Sequence, residues 1–257
     1  MIKIAIIGTG GIAEWHANEF QKNNNSEVVA ACDVSEDRLN NFCNKFNIKE
    51  RYDSVDELLD KADIDAVTNT TPDAFHKEIS IKVINKNKHI FCEKPLAENY
   101  QDAKEMCDVV KNKNLVNMVN FSYRNSSGYQ ELVRIVQSGK IGNIIHMDAN
   151  YYQSWLSTKY WGDWREQDKW LWRLSTNHGS MGTLGDIGVH IFDFASVPIG
   201  SIKKLNAKLK TFESKGDKIK DYVLDANDSF ISMVEFENGA LGTITSTRFA
   251  TGYSNRL

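Results

Sequence analysis

The sequence predicts an α/β protein: a doubly wound parallel sheet in the first half, followed by an α+β domain on a mostly antiparallel open sheet. Three observations predict it. Short apolar runs rich in β-branched residues alternate with helix-patterned segments up to about residue 122. Beyond residue 123 the alternation stops and longer strand patterns dominate. Four cysteines, none in a C-x-x-C pair, supply no disulfide framework or zinc-ribbon spacing that would override this hydrophobic pattern.

The elements follow in order. Ile2 to Ile7 reads as a buried parallel strand, and Gly11 to Lys22 as a helix with Ile12, Trp15 and Phe20 at helical spacing. Val28 to Cys32 is a second strand, and Glu36 to Phe46 a helix capped by Ser35. Ser54-x-x-Glu57 has the form of a capping box opening the short helix Val55 to Leu59. Strand Ile64 to Val67, helix Phe75 to Asn85, strand His89 to Cys92, helix Asp102 to Lys111 and strand Leu115 to Phe121 complete the first half. The second half carries a helix over Tyr129 to Gln137, a strand over Ile144 to Tyr152 and an irregular aromatic stretch. A Gly-rich turn then leads into a helix near Leu184 to Val197. Strands over Lys204 to Phe212 and Ser229 to Phe236 follow, and Asn238-Gly239 predicts a type I′ hairpin. Residues 1–122 and 123–257 are the two expected domains.

Composition narrows the function classes. A net charge of -3 offers no basic surplus to neutralise phosphates, so a nucleic-acid partner is not expected. The Lys-rich stretch from Lys203 to Lys220 is broken by Glu213, Asp217 and Asp221 and reads as a solvated face. The apolar N-terminus is too short for a signal h-region, and no apolar run reaches a membrane span. A cytoplasmic protein in a reducing compartment, with no membrane partner, is the expectation.

Gly8-Thr9-Gly10-Gly11-Ile12-Ala13 matches G-x-G-x-x-G/A directly after the first strand and at the start of a helix. That context is what a dinucleotide-binding Rossmann turn requires. Gly8 permits the turn, Gly10 a close backbone approach to a pyrophosphate, and Ala13 close helix–strand packing. Asp33 lies twenty residues after Ala13, just past the second strand, where a carboxylate can accept from ribose hydroxyls; an N-cap or turn role is the plainer alternative. The same carboxylate repels a 2′-phosphate, and Glu36 and Asp37 add to the negative field, so NAD is expected over NADP. Arg38 could compensate, but on the following helix it reads equally as a surface residue or an adenine-face neighbour.

Three further segments make the chain resemble the glucose-fructose oxidoreductase/inositol dehydrogenase/MocA (Gfo/Idh/MocA) family. They are Thr70-Thr71-Pro72-Asp73-x-x-His76, Glu93-Lys94-Pro95 and Gly185-Asp186-Ile187-Gly188-Val189-His190-x-x-Asp193. The resemblance implies that Thr70, Thr71, Pro72, His76, Glu93 and Lys94 line the cofactor. It also implies that Lys94, Asp186 and His190 bind substrate and transfer the proton. Tyr123 and Arg124 then stand where the chain leaves the Rossmann domain and lines the substrate pocket, which makes Tyr123 an expected substrate-binding residue. Chemistry alone leaves plainer alternatives: Lys94 as a surface lysine before a turn, Asp186 and His190 as a helix-surface pair, Tyr123 and Arg124 as interdomain packing. Asp193 reads as solvent-facing or capping a neighbour. Five of the six tryptophans fall between Trp155 and Trp172, which suits either sugar stacking or dimer packing. Trp172-Arg173 resembles members acting on cyclic polyols and sugars, so Trp172 and Arg173 join the expected substrate-binding residues.

The resulting expectation is an NAD-dependent dehydrogenase exchanging hydride with a sugar or cyclic polyol hydroxyl, with no metal. The alternatives are a non-catalytic NAD-sensing regulator and an NAD-dependent glycosidase. The resemblance further implies a homo-oligomer, dimer or tetramer, and a longer chain, so the second domain is expected to be incomplete at Asn255-Arg256-Leu257.

Overall fold

A computed structural model describes residues 1–178, 181–212 and 216–253. The chain divides into two compact units, Met1–Asn120 and Phe121–Leu257.

The first unit contains β1 (Ile2–Ile7), α1 (Gly11–Lys22), β2 (Ser26–Cys32), α2 (Glu36–Phe46), β3 (Glu50–Tyr52), α3 (Val55–Lys61), β4 (Ala66–Asn69), α4 (His76–Asn85), β5 (His89–Cys92), α5 (Tyr100–Val110) and β6 (Asn117–Val119). Its six strands are all parallel, in the order β3-β2-β1-β4-β5-β6. The chain winds outward from β1 in one direction and then from β4 in the other. The β1/β4 junction is therefore the topological switch point, where open α/β sheets bind ligands. Alternation of side chains along β1 builds a core on each face. Ala5 and Ile7 pack with Leu58, Val67, Ile79 and Val83, whereas Ile6 packs with Ala13, Ala17, Leu39 and Phe42.

The structure departs locally from the expected elements. β3 has no apolar run to announce it, because a three-residue edge strand with Glu50 and Arg51 follows the charged pattern that protects edges. β4 spans Ala66–Asn69 rather than Ile64 to Val67. Thr68 and Asn69 extend it although polar, because both are fully buried with side-chain hydrogen-bond partners. Ser54 does cap α3 by accepting from the Glu57 amide at 3.5 Å, while the Glu57 carboxylate pairs with Lys61. Asn99 caps α5, which begins two residues before the expected Asp102.

The second unit contains α6 (Ser127–Gln137), β7 (His146–Tyr152), α7 (Asp168–Leu171), α8 (Val189–Ile199), β8 (Ile202–Lys210), β9 (Lys218–Ile219), β10 (Tyr222–Val223), β11 (Ser229–Phe236) and β12 (Leu241–Thr247). Its four-stranded sheet runs β7-β12-β11-β8. β11 is antiparallel to both neighbours, but β12 and β7 are parallel, so the sheet is mixed. Along β11, Phe230, Val234 and Phe236 are buried with Ile187, Ile191 and Ala195, and Ile231 and Met233 face the other way. α6 docks on α8 through Tyr129, whose ring stacks on Phe194 and whose hydroxyl donates to the Phe194 carbonyl at 2.9 Å.

Two expectations are corrected here. The hairpin at Asn238-Gly239 is not type I′, because only Gly239 of the pair has positive φ, +87°. The Gly239 amide bonds the Phe236 carbonyl at 2.9 Å and the Phe236 amide bonds the Ala240 carbonyl at 2.9 Å. This is the three-residue loop in which an ordinary turn ends in a left-handed glycine. The helix expected over Leu184 to Val197 opens instead with a wide π-type turn, Leu184–Gly188, before α8. A Cβ at Gly188 would stand 2.7 Å from the Phe230 ring, so the turn lies directly on the sheet. The start of the Gly-rich turn (Gly179, Ser180), Glu213 and the terminal Asn255-Arg256-Leu257 lie outside the described residues.

Candidate functional site

In the first unit the glycine turn leaves β1 at Gly8, where φ is +87° and a Cβ would stand 2.9 Å from the Thr70 and Thr71 backbone. Only glycine meets both demands. Thr70 seals the approach by donating from Oγ1 to the Gly8 carbonyl at 2.6 Å. Above Gly10 and Gly11 there is open space, since a Cβ on either would meet nothing within 4 Å. Gly10 caps α1 with no side-chain hydrogen bond, so the first-turn N–H groups of this twelve-residue helix suit an anion. Ala13 is fully buried against the sheet, and Ile12 is exposed. This is a cradle that a pyrophosphate fits.

Asp33, buried after β2, is held on both oxygens. Oδ2 accepts from the Thr9 amide at 2.8 Å and the Thr9 hydroxyl at 2.9 Å. Oδ1 accepts from the Ser35 amide at 2.8 Å and from Arg38 Nη2 at 2.8 Å. Burial pushes this carboxyl up, but Arg38, the Ser35 amide and Thr9 together outweigh it and hold it below the usual carboxylate range. Asp33 is thus a turn residue whose carboxylate flanks the glycine cradle. Arg38 is the half-exposed partner of that carboxylate.

The segments around Thr70 and Glu93 are joined by histidines. The His76 ring, fully buried, lies 2.9 Å from the Thr71 carbonyl and 2.6 Å from the Pro95 carbonyl, tying the two loops together. Pro72 starts the 3₁₀ turn that leads to His76. Glu93 is also buried. Its Oε1 meets His16 Nε2 at 2.7 Å and accepts from Asn120 Nδ2 at 2.7 Å, and its Oε2 accepts from the Lys94 amide at 3.2 Å. Thr68 Oγ1 contacts the other ring nitrogen of His16 at 3.1 Å. Burial raises the Glu93 carboxyl, but His16, Asn120 and the Lys94 amide overcome it and lower it below its ordinary value. Glu93 therefore anchors the backbone that carries Lys94. Sequence reasoning missed His16, Thr68, Asn69 and Asn120. His16 had a signal: it is three residues after Ala13 and one before Ala17, a polar residue on the buried face of α1.

In the second unit Asp186 sits in the wide turn, nearly buried. Its Oδ2 accepts from Arg248 Nη2 at 2.9 Å and lies 3.4 Å from Arg173 Nε. His190 follows one turn later, with its ring 4.7 Å from Tyr123 and near Tyr151, and the two tyrosine hydroxyls are 2.7 Å apart. Arg124 is paired with Asp193, Nε to Oδ2 at 2.8 Å, so this arginine and Asp193 serve each other within the second unit. Trp155 and Trp164 are core residues with Leu156, Leu171 and Leu174, and Trp155 stacks on Trp170. Burial leaves those two unavailable for sugar stacking, and Trp172 instead carries the Arg173 guanidinium 4.2 Å from its ring. Among the described residues no group of three His, Cys, Asp or Glu could hold a metal ion.

Two family models match this chain. One, an oxidoreductase family with an NAD-binding Rossmann fold, covers residues 2–121, and the other, the GFO/IDH/MocA C-terminal domain, covers residues 129–257. The chain belongs to the GFO/IDH/MocA family. It is 31% identical over 228 residues to levoglucosan dehydrogenase of Pseudarthrobacter phenanthrenivorans, covering 83% of this chain and 57% of that one. Glucose-6-phosphate 3-dehydrogenase of Bacillus subtilis is 30% identical over 86% of this chain and 63% of its own length. The chain thus spans less than two thirds of either GFO/IDH/MocA relative. A solved levoglucosan dehydrogenase in complex with NADH and levoglucosan superposes with a TM-score of 0.87 at 27% identity, over 99% of this chain and 69% of that one. The mixed sheet and the all-parallel Rossmann sheet are accordingly the fold of this GFO/IDH/MocA family.

Proposed function

We propose that the chain is an NAD-dependent dehydrogenase that transfers hydride between the nicotinamide and a hydroxyl-bearing carbon of a sugar or cyclic polyol. The observation that carries this reading is the pairing of Asp186, a nearly buried carboxylate held by Arg248, with His190 one helical turn later. Bound NAD supplies the hydride acceptor or donor. His190 takes the hydroxyl proton during oxidation and returns it on reduction, a task suited to an imidazole near neutral pH. Lys94 donates to the same oxygen and stabilises its developing negative charge. Asp186 orients a substrate hydroxyl as an acceptor, and Tyr123, Trp172 and Arg173 border it.

NAD is preferred over NADP because the ionised Asp33 accepts from a ribose hydroxyl and repels a phosphate in its place; Arg38, already committed to Asp33, weakens but does not reverse this. Gly8 to Ala13 hold the pyrophosphate, and Thr70, Thr71, Pro72, His76 and Glu93 shape the nicotinamide end. Residues 1–122 act as the cofactor domain and 123–257 as the domain for substrate binding and oligomerisation. The exposed Ile231 and Met233 support self-association, and four free cysteines support a cytoplasmic, reducing setting. No helix among the described residues is long and apolar enough to cross a membrane.

The test is His190→Asn with NADH absorbance on a panel of inositols and aldoses. Turnover is expected to fall by about 10²- to 10⁴-fold, with NAD affinity unchanged within about twofold. Full turnover in the Asn variant would overturn the assignment of His190. A parent that binds NAD but turns over no polyol or sugar would favour the regulator reading.

A further inference from the structure

Arg248 follows β12 and is completely buried. A buried guanidinium requires an anion and acceptors for its N–H groups. Arg248 Nη2 donates to Asp186 Oδ2 at 2.9 Å, and Nη1 donates to the Arg173 carbonyl at 3.0 Å. Its guanidinium carbon lies 4.9 Å from the centre of the Trp155 ring, which in turn stacks on Trp170. Its backbone is fixed as well: its amide bonds the Asp228 carbonyl at 3.1 Å, and its carbonyl accepts from Leu156 at 3.2 Å. The charged groups that face it come from three segments: Asp186 on the wide turn, Arg173 beyond α7, and Asp228 before β11. Every one of these residues is in the second unit.

We propose that Arg248 is a positioning residue that holds the Asp186 carboxylate ionised and in one orientation, so that Asp186 acts only as a hydrogen-bond acceptor and His190 alone moves the proton. The role rests on the dehydrogenase reading above. A carboxylate whose Oδ2 is bound by Arg248 and flanked by Arg173 is a poor proton carrier, because protonation would forfeit both interactions. Trp155 and the Arg173 carbonyl fix the guanidinium plane, and the guanidinium then fixes the carboxylate. Burial lowers the Arg248 guanidinium, and Asp186 opposes that effect.

The test uses the full chain, Arg248→Lys, Arg248→Gln and Asp186→Asn. The Asp186 carboxyl carbon is followed by 13C NMR of aspartate-labelled protein, assigned by its absence in Asp186→Asn. In the parent it is expected to stay ionised from pH 5 to pH 9. In Arg248→Gln it is expected to titrate inside that range or to split into several environments. Turnover by Arg248→Gln is expected to fall about 10²-fold, the scale set by an ångström of misplacement, with the NAD Kd unchanged within about twofold. Arg248→Lys keeps the charge but not both hydrogen bonds, and is expected to recover at least about tenfold of that loss in kcat while KM changes less. An Asp186 signal identical in parent and Arg248→Gln overturns the proposal, as does unchanged kcat in a folded Arg248→Gln. If Arg248→Gln does not fold, Arg248→Lys decides: parent-like kcat together with a parent-like Asp186 signal overturns the proposal, and a lowered kcat at constant NAD Kd supports it. A parent without turnover would defeat the dehydrogenase reading alone, since the NMR comparison needs no substrate.

Discussion

The Glu93 anchor gives a sharp prediction through Asn120, a buried neighbour that does not titrate. Its Nδ2 donates to Glu93 Oε1 at 2.7 Å and lies 3.3 Å from His16 Nε2. Asn120→Ala removes one hydrogen bond to a buried carboxylate, worth about 1.5–3 kcal/mol. Asn120→Asp does more, because it sets a second carboxylate against Glu93. At about 3.5 Å and an effective dielectric of about 20, the repulsion is near 5 kcal/mol, enough to force one of the pair to stay protonated. Holding a carboxyl protonated costs about 4 kcal/mol at pH 7 but only about 1 kcal/mol at pH 5, relative to an unfolded value near 4. The sign follows from linkage. The shared proton raises the folded-state pKa of the pair, so the penalty grows as pH rises above the unfolded value and is relieved as pH falls towards it. In the parent, Glu93 is depressed, so its stabilisation is present above its unfolded value and is lost only as pH falls through the folded one. Between pH 5 and pH 7 the contribution of Glu93 in the parent is therefore constant.

Hydrogen exchange of the β1 and β5 amides reports the stability of the first unit, and variant-to-parent ratios at each pH cancel the intrinsic rate. Asn120→Ala is expected to lower protection by about 10- to 150-fold at both pH values. Asn120→Asp is expected to lose about 100-fold more at pH 7 than at pH 5. Equal losses for Asp and Ala at pH 7, or an Asp penalty that does not change with pH, would refute the reading of Glu93 as a buried ionised anchor.

Two further outcomes test the cofactor cradle. Titration calorimetry is expected to show NAD bound at least about tenfold tighter than NADP, about 1.4 kcal/mol, and Asp33→Ser is expected to bring the two close to parity; equal affinities in the parent would remove Asp33 from the discriminating role. Gly8→Ala combines a positive φ with a Cβ 2.9 Å from the Thr70 backbone, so it is expected to lower stability by about 1–3 kcal/mol and NAD affinity by more than about tenfold. A variant with the melting temperature and NAD affinity of the parent would show that Thr70 does not press on the turn.

The Rossmann half was legible because its signals are local. Gly8, Gly10 and Ala13 sit on one strand–turn–helix unit, Asp33 closes the next strand, and the apolar runs of β1, β2 and β5 need no partner to be recognised. The hairpin was placed correctly by Asn238-Gly239 yet given the wrong turn, since dipeptide identity does not show which residue takes the positive φ. β3 and the end of β4 were illegible for a different reason. Their residues are polar, and what makes a polar strand acceptable is a partner distant in the sequence, such as His16 on α1 for Thr68.

The same distinction separates the legible from the hidden parts of the candidate site. Asp186 and His190 are four residues apart, and a helix reveals them. Arg248 is 62 residues from Asp186 and 75 from Arg173, so no spacing rule joins them. In the sequence it is an arginine in Ser-Thr-Arg-Phe-Ala at the end of a strand, where a solvated charge is the ordinary expectation. Its burial follows only once β12 pairs with β7 and the Trp155 segment closes over the strand end. A charge can be enclosed that way only if the fold delivers its counter-charge to the same point. Asp186 therefore does two things: it neutralises Arg248, and it presents the resulting fixed carboxylate one turn before His190. The wide turn at Leu184–Gly188 belongs to the same arrangement. Gly188 lets the segment rest on Phe230, and Asp186 in that turn accepts the bond from Arg248 at the end of β12. A regular helix carrying a larger residue at 188 would be pushed away from the sheet and would draw Asp186 off its partner, so the glycine and the buried arginine are two halves of one constraint.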